Sequence, residues 1–334
     1  MAIMNLSEPT PPDDAPRAAA AGLFANRTGA PALGRADSIA GLMARAAGVT
    51  VLLIAAGIVW QLVSKARPSV AAFGLPFLWS GEWDPVGEKF GAWPFLYGTL
   101  VSSAIALAIA TPFGVGTALF LTELAPARLR SPVAFVVEML AAIPSVVYGL
   151  WGIFVLSPLM AGTIGPFLIK WFGWSPLFKG PCFGVSMLTA GIILAVMVVP
   201  YITSLSREVL RTVPPELKAA SYALGATPWE TIWKVVLPHA RVGIGGGVVL
   251  ALGRALGETM AVTMVIGNSP TVETSLLRPA YTMSAVIANE FREATGTLYL
   301  ASLVNLGLVL FVVTLAINLA ARLLLTRMSR AGAR

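Results

Sequence analysis

Long apolar stretches, and not short alternating ones, dominate the hydrophobic pattern of the chain. Six of them stand out, over residues 39–63, 93–122, 133–156, 183–205, 242–266 and 298–325. A helix crosses the hydrocarbon core of a bilayer with about 20 apolar residues, so each stretch is long enough to span. The pattern predicts an all-α, polytopic membrane protein with six transmembrane helices. Residues 1–38 are rich in Pro, Ala and Asp (PTPPDDAPRAAAAG), lack helical periodicity and read as a disordered tail. They do not read as a secretory signal, because the apolar run starts late and follows prolines and acids. The expected division is this tail, a first span with its outer linker (39–92), a core transmembrane domain (93–325) and a basic terminus (326–334). The apolar segment 161–181, with Pro166, stays open as a re-entrant or interfacial piece.

Composition agrees with the membrane reading. The 334 residues are 57% apolar and 12% charged, whereas soluble domains carry roughly 25% charged residues. The net charge of +7 is scattered between apolar spans, which argues for membrane topology and against a nucleic-acid partner. On the even-numbered inner segments and both termini there are 15 Lys and Arg residues, against 7 on the opposite side. By the positive-inside bias both termini are expected in the cytoplasm of a prokaryotic cell, with the chain in its plasma membrane. One cysteine, Cys182, and one histidine, His239, leave no metal site and no internal disulfide. None of the six lysines follows a glycine, so the phosphate loop GxxxxGK[ST] is absent. No cofactor is expected on this chain; if ATP drives it, ATP and Mg sit on another chain.

Two polar features interrupt the apolar pattern. The first is the inner linker 206–241, SREVLRTVPPELKAASYALGATPWETIWKVVLPHAR, too polar to insert. Pro214 and Pro215 suit a helix start, Gly225 a helix end and Pro228 a second start. A short helix, a turn and a second helix entering the membrane are expected, as a solvated loop or as a docking surface for a cytoplasmic partner. The second is GRALGETMAVTMVIGN, residues 253–268. Counted from Arg241 and Asn268, Arg254 falls near mid-bilayer, where an arginine costs at least ~2.5–3.5 kcal/mol. Glu258, four residues on, is expected on the same helical face and within reach of the guanidinium. The pair reads either as an ion pair gluing two helices or as a substrate path. In the second reading Arg254 offers a planar fork of donors to an oxyanion and Glu258 offsets its charge.

Together these stretches resemble the inner-membrane permeases of ATP-binding-cassette importers, whose inner loop has the form EAA-x3-G-x9-I-x-L-P. Aligned on Gly225, this chain has Ala219, Ala220 and Ser221, then Val235 and Leu237–Pro238. The family's leading Glu is Ala219 here, with Glu216 nearby, which puts any salt bridge of that Glu in doubt. Within the superfamily the chain looks like the phosphate-importer permeases of the PstC type. The motifs that carry this are LAAIPSVVYGLWG (140–152), SYALGATPWETIWKVVLP (221–238), GRALGETMAVTMVIGN and IANEF (287–291). The resemblance implies the type I permease fold and a non-catalytic subunit working with a second permease, two ATPase copies and an extracytoplasmic phosphate-binding protein. It implies inorganic phosphate as substrate and Arg254 and Glu258 on its path. The coupling helix would be built from Pro215, Glu216, Ala219, Ala220, Ser221, Gly225, Ala226 and Pro238.

Other residues carry weaker chemistry. Ser145, after Pro144, is a weak candidate donor to phosphate. Glu138 is expected to cap or snorkel. Gly253 and Gly257 form a GxxxG pair suited to helix packing, while Asn289 and Glu290 stand on an outer linker as a solvated loop or a docking site. Rival readings are a permease for another oxyanion or small solute, and a secondary anion transporter. The latter would show intramembrane carboxylates and inverted repeats. An intramembrane enzyme would need a nucleophile–base pair inside the spans, and a purely structural subunit would leave the Arg–Glu pair as glue.

Overall fold

The computed structural model describes residues 35–331, with side chains over 39–328. The tail expected to be disordered therefore lies outside the described residues up to 34, but residues 35–38 are already helical. The last residues of the basic terminus, 332–334, also lie outside. Helix α1 runs Arg35–Phe73. A short hairpin follows, β1 (Trp83–Asp84) paired antiparallel with β2 (Lys89–Phe90). Then come α2 (Trp93–Leu119), α3 (Ala127–Ala142) and a helical rod α4 over Ser145–Phe172, which contains two wider, π-type turns. Helix α5 is Met187–Arg211, α6 Pro215–Ala223 and α7 the rod Pro228–Gly257. The short α8 (Met260–Val265), α9 (Met283–Glu290) and the long α10 (Thr297–Ala331) complete the order. Six of these, among the described residues, are long and apolar enough to cross a membrane.

The chain divides after Trp60. The described part of the first unit is the N-terminal portion of α1, whose Leu42, Val51, Leu52 and Ile54 are exposed. An exposed helix that is apolar over residues 39–60 but for Arg45 and the small polar Thr50 fits lipid or another membrane chain. The second unit, from Gln61 onward, holds the rest. Its core is centred on α5, the most buried span, with α2, α4 and α8 around it. Close approach explains its glycines. A Cβ on Gly191 would lie 2.5 Å from Ile105 and one on Gly114 2.8 Å from Ile202, so α2 and α5 meet almost backbone to backbone. Pro112 and Pro200 are accommodated inside these two helices without ending them.

Gly98 lies closer still to another segment, its notional Cβ 2.2 Å from the Tyr281 carbonyl oxygen. Backbone cannot yield as a side chain does. Gly98→Ala is expected to destabilise by about 1–3 kcal/mol and lower the melting temperature in detergent. Gly116→Ala on the same helix, with open space around it, is expected to be neutral.

Three expected boundaries are corrected. The third span is not 133–156. Residues 127–142 form a separate amphipathic helix, and the span is Ser145–Phe172. Ile143 and Pro144 are extended (ψ 128° and 141°), because a residue before proline is pushed out of the helical region and Pro144 then starts the new helix. The segment left open, 161–181, is thereby the second half of that span up to Phe172. The fifth span starts earlier, at Pro228, and ends at Gly257 instead of running to 266. The first helix continues past 63 to Phe73, with Pro68 inside it.

One end of the second unit collects the hairpin, α9 and the start of α10. Glu290 accepts from Trp83 Nε1 at 2.9 Å and from the Tyr299 hydroxyl at 2.7 Å. Asn289 donates to the Tyr281 hydroxyl at 3.0 Å, and burial pushes that phenol up to about 12. The IANEF residues thus act as a clamp between elements and not as a free loop. The opposite end collects α3, the last turns of α5, α6 and the start of α7.

Candidate functional site

Arg254 stands in the last turn of α7. Its guanidinium lies 4.4 Å from the ring centroid of Tyr201 on α5, a cation–π contact that holds the arginine without neutralising it. The residue is exposed, with no acidic partner among the described residues. An uncompensated guanidinium on an apolar helix needs a watery path or another chain beside it.

The expected pairing with Glu258 does not form. Helix α7 stops at Gly257, and Glu258 is extended (φ −67°, ψ 128°). The four-residue helical relation is lost with the helix, and no ion pair joins the two among the described residues. Instead Glu258 caps the next element: its carboxylate accepts from the Ala261 N–H at 3.5 Å, and its carbonyl from the Ser284 hydroxyl at 2.9 Å. The count that put Arg254 at mid-span also changes, since the span ends three residues beyond it. A broken helix with its free ends near a charged side chain is how membrane proteins build polar sites away from lipid.

The segment after the break is held against the motif 140–152. Helix α8 packs on the first turns of α4, where a Cβ at Gly149 would meet Met264 Sδ at 2.5 Å and one at Gly152 would meet Val265 at 2.6 Å. Both glycines are therefore required by contact. The Tyr148 hydroxyl donates to the Leu140 carbonyl at 2.8 Å, bridging the break at Pro144. Ser145 opens α4, half-buried, and hydrogen-bonds neither Arg254 nor Glu258. Of the GxxxG pair, Gly253 touches Asn318 of α10, whereas Gly257 has open space.

The loop residues come together as a protruding unit. Pro214 and Pro215 start α6, which ends at Leu224, with Gly225 at φ +85° making the turn. Thr227 and Glu230 then form a reciprocal capping box that begins α7 at Pro228. Two tethers fix the unit: Ser221 to Thr231 at 2.9 Å, and Lys218 to Glu123 at 2.6 Å. Pro215, Glu216, Ala219, Ala220, Gly225 and Pro238 are exposed, while Ser221 and Ala226 are half-buried. Leu224, beside the Gly225 turn, is 90% exposed, and Tyr222, Trp229 and Trp233 of the same unit are exposed as well.

Sequence reasoning missed Tyr201, although a signal existed: it is the one aromatic in α5 and directly follows Pro200. Leu224 carries no such signal, since a leucine inside an apolar-rich segment reads as buried until the turn at Gly225 is seen to expose it.

A broken-helix membrane bundle with a capped, protruding helix–turn–helix is the fold of ABC transporter permeases. A solved bacterial alginate ABC transporter, in complex with its oligosaccharide-bound periplasmic protein, matches with a TM-score of 0.56 at 17% identity, over 85% of this chain and 94% of that one. The inward-facing MetNI methionine ABC transporter matches with a TM-score of 0.50 at 22% identity, over 76% and 98%. The chain belongs to the family of binding-protein-dependent transport system inner membrane components, whose model matches residues 110–330. Among its relatives, the phosphate transport system permease protein PstC of Mesorhizobium japonicum is 51% identical over 302 residues, covering 89% of this chain and 92% of that protein. The PstC of Haemophilus influenzae is 47% identical over 84% and 90%. PstC 2 of Mycobacterium tuberculosis is 40% identical over 86% and 91%.

Proposed function

We propose that this chain is the permease subunit of an ATP-driven importer of inorganic phosphate. The observation that carries the substrate is the 51% identity to a phosphate permease across nearly the whole of both chains. The chain would sit in a prokaryotic plasma membrane with both termini cytoplasmic, as the excess of inner cations favours. A second, homologous permease would cover the face that carries Arg254 and complete a polar path between the two. An extracytoplasmic phosphate-binding protein would supply affinity and selectivity, and two ATPase copies would dock on α6, hydrolysing ATP with Mg. This chain itself does no covalent chemistry.

In this reading Arg254 is the fork for phosphate oxygens. With the path empty it rests on the Tyr201 ring; an arriving anion competes for it with a contact that is weak and therefore quickly broken. A conducting site has to release what it binds. Glu258, at the break, supplies the nearest negative charge along the chain without cancelling the arginine. Closure of the ATPase dimer would move α6 and swing α5 and α7 between the two access states.

The test of the substrate is ATP-dependent uptake in proteoliposomes holding the four-component complex. Uptake of phosphate, dependent on the binding protein, is expected. Uptake of sulfate or another oxyanion but not phosphate would overturn the substrate while leaving the importer. Uptake driven by an ion gradient with no ATPase present would favour the secondary transporter.

A further inference from the structure

Helix α3 and the last turns of α5 border an open polar cavity of about 390 Å³, and Arg254 is not among its lining residues. Arg130, Ser131, Phe135 and Glu138 line it from α3, and Arg207 and Arg211 from α5. Three guanidinium groups thus face one carboxylate, a local excess of two positive charges. Arg207 donates to Glu138 at 2.8 Å, which pins α3 to α5. Arg130 donates through Nε to the Ala125 carbonyl at 2.8 Å, which fixes its stem and leaves its terminal nitrogens free. Arg211 has no ion pair or hydrogen bond among the described residues. Two unneutralised guanidinium groups near helix ends, with Ser131 lining the same cavity, are donors without an acceptor.

The apolar residues of α3 say where this cavity lies. Phe135, Val136, Met139 and Leu140 are exposed, whereas the first turns carry Arg128 and Arg130. An amphipathic helix with an exposed apolar ridge and a basic end lies in the interface plane, its cations at the level of lipid phosphates. Arginine forks match the oxygens of a phosphoryl group in pairs, better than they match a single-atom anion.

We infer that the α3–α5 cavity is a binding site for a phosphoryl anion, held by Arg130 and Arg211 with Arg207 positioned by Glu138. Two sources share that chemistry: the headgroup of an anionic phospholipid, and free phosphate on that side of the membrane. The site does not depend on which solute the permease carries. Because α5 leads through Thr212 to Pro214 directly into α6, an occupant would stiffen the base of the coupling unit.

The test uses the full complex in nanodiscs of phosphatidylcholine, with and without phosphatidylglycerol, and in phosphatidylcholine with added inorganic phosphate. Retained phosphatidylglycerol is read by native mass spectrometry, and bound phosphate by equilibrium dialysis. Wild type is expected to hold one of the two ligands at this site. The Arg130→Gln/Arg211→Gln variant is expected to hold it about tenfold more weakly. Glu138→Gln keeps an acceptor for Arg207 while raising the charge of the cavity, and is expected to bind more tightly. That variant decides the matter if the double one fails to assemble. Loss of phosphatidylglycerol alone identifies a lipid site; loss of phosphate alone identifies a soluble-anion site. Equal retention of both ligands in wild type and both variants would overturn the proposal.

Discussion

Arg254→Gln is expected to lower phosphate uptake by about 10–100-fold while the complex still assembles and the binding protein still stimulates ATP hydrolysis. The size follows from what is removed. A guanidinium offers charge-assisted, paired bonds to an oxyanion, and glutamine keeps the length but neither the charge nor the fork. Selectivity for uptake over assembly follows from the position: Arg254 is exposed and touches Tyr201 through its ring face alone, so no buried partner is orphaned when it goes. Tyr201 provides the control. Tyr201→Phe keeps the ring and is expected to stay within about twofold of wild type, whereas Tyr201→Leu should lose a few-fold. Lost assembly in Arg254→Gln would make the arginine interchain glue. Unchanged uptake would remove it from the path.

How much of this site was legible depended on whether the cause was local. The six spans were legible because hydropathy integrates over about 20 residues and tolerates errors at the ends. The break at Pro144 was legible in principle, since a proline and its predecessor carry their own backbone restriction. It was overridden by the unbroken apolarity of the residues on either side. The break at Glu258 was not legible in the same way. Gly257 permits a helix end, but what makes it stable is the Ser284 hydroxyl on the Glu258 carbonyl, 26 residues away in sequence. The helical spacing of Arg254 and Glu258 therefore pointed to a pair that long-range contacts undo. Glu138 shows the same limit from the other side, for its partner Arg207 lies 69 residues on. In contrast the helix–turn–helix of loop 206–241 was legible from Pro214, Pro215, Gly225 and Pro228, local devices that need no partner elsewhere, although the equally local Thr227–Glu230 box went unread.

Leu224→Asp is expected to abolish coupled uptake by releasing the ATPase. At 90% exposure the leucine contributes almost nothing to the fold of this chain, so the melting temperature of the isolated permease should not change. Its surroundings point outward in the same way: Tyr222, Trp229 and Trp233 are exposed, with Trp229 and Trp233 edge to face at 5.7 Å. An exposed leucine on a unit that also exposes three aromatic side chains is costly in water and suits an interface anchor, whose truncation typically costs 2 kcal/mol or more, or about 30-fold in affinity. An aspartate adds the desolvation of a charge to that loss. The rigidity of the unit makes the effect direct, since the bonds Ser221–Thr231 and Lys218–Glu123 fix where the tip points and leave little room for the loop to turn a charged side chain away. The readout is the amount of ATPase that co-purifies with the permease pair, with ATP-dependent uptake measured on the same preparation. Wild-type recovery of the ATPase together with intact uptake would mean that α6 is not the coupling surface, and the proposed path from ATP to Arg254 through α5 and α7 would have to begin elsewhere.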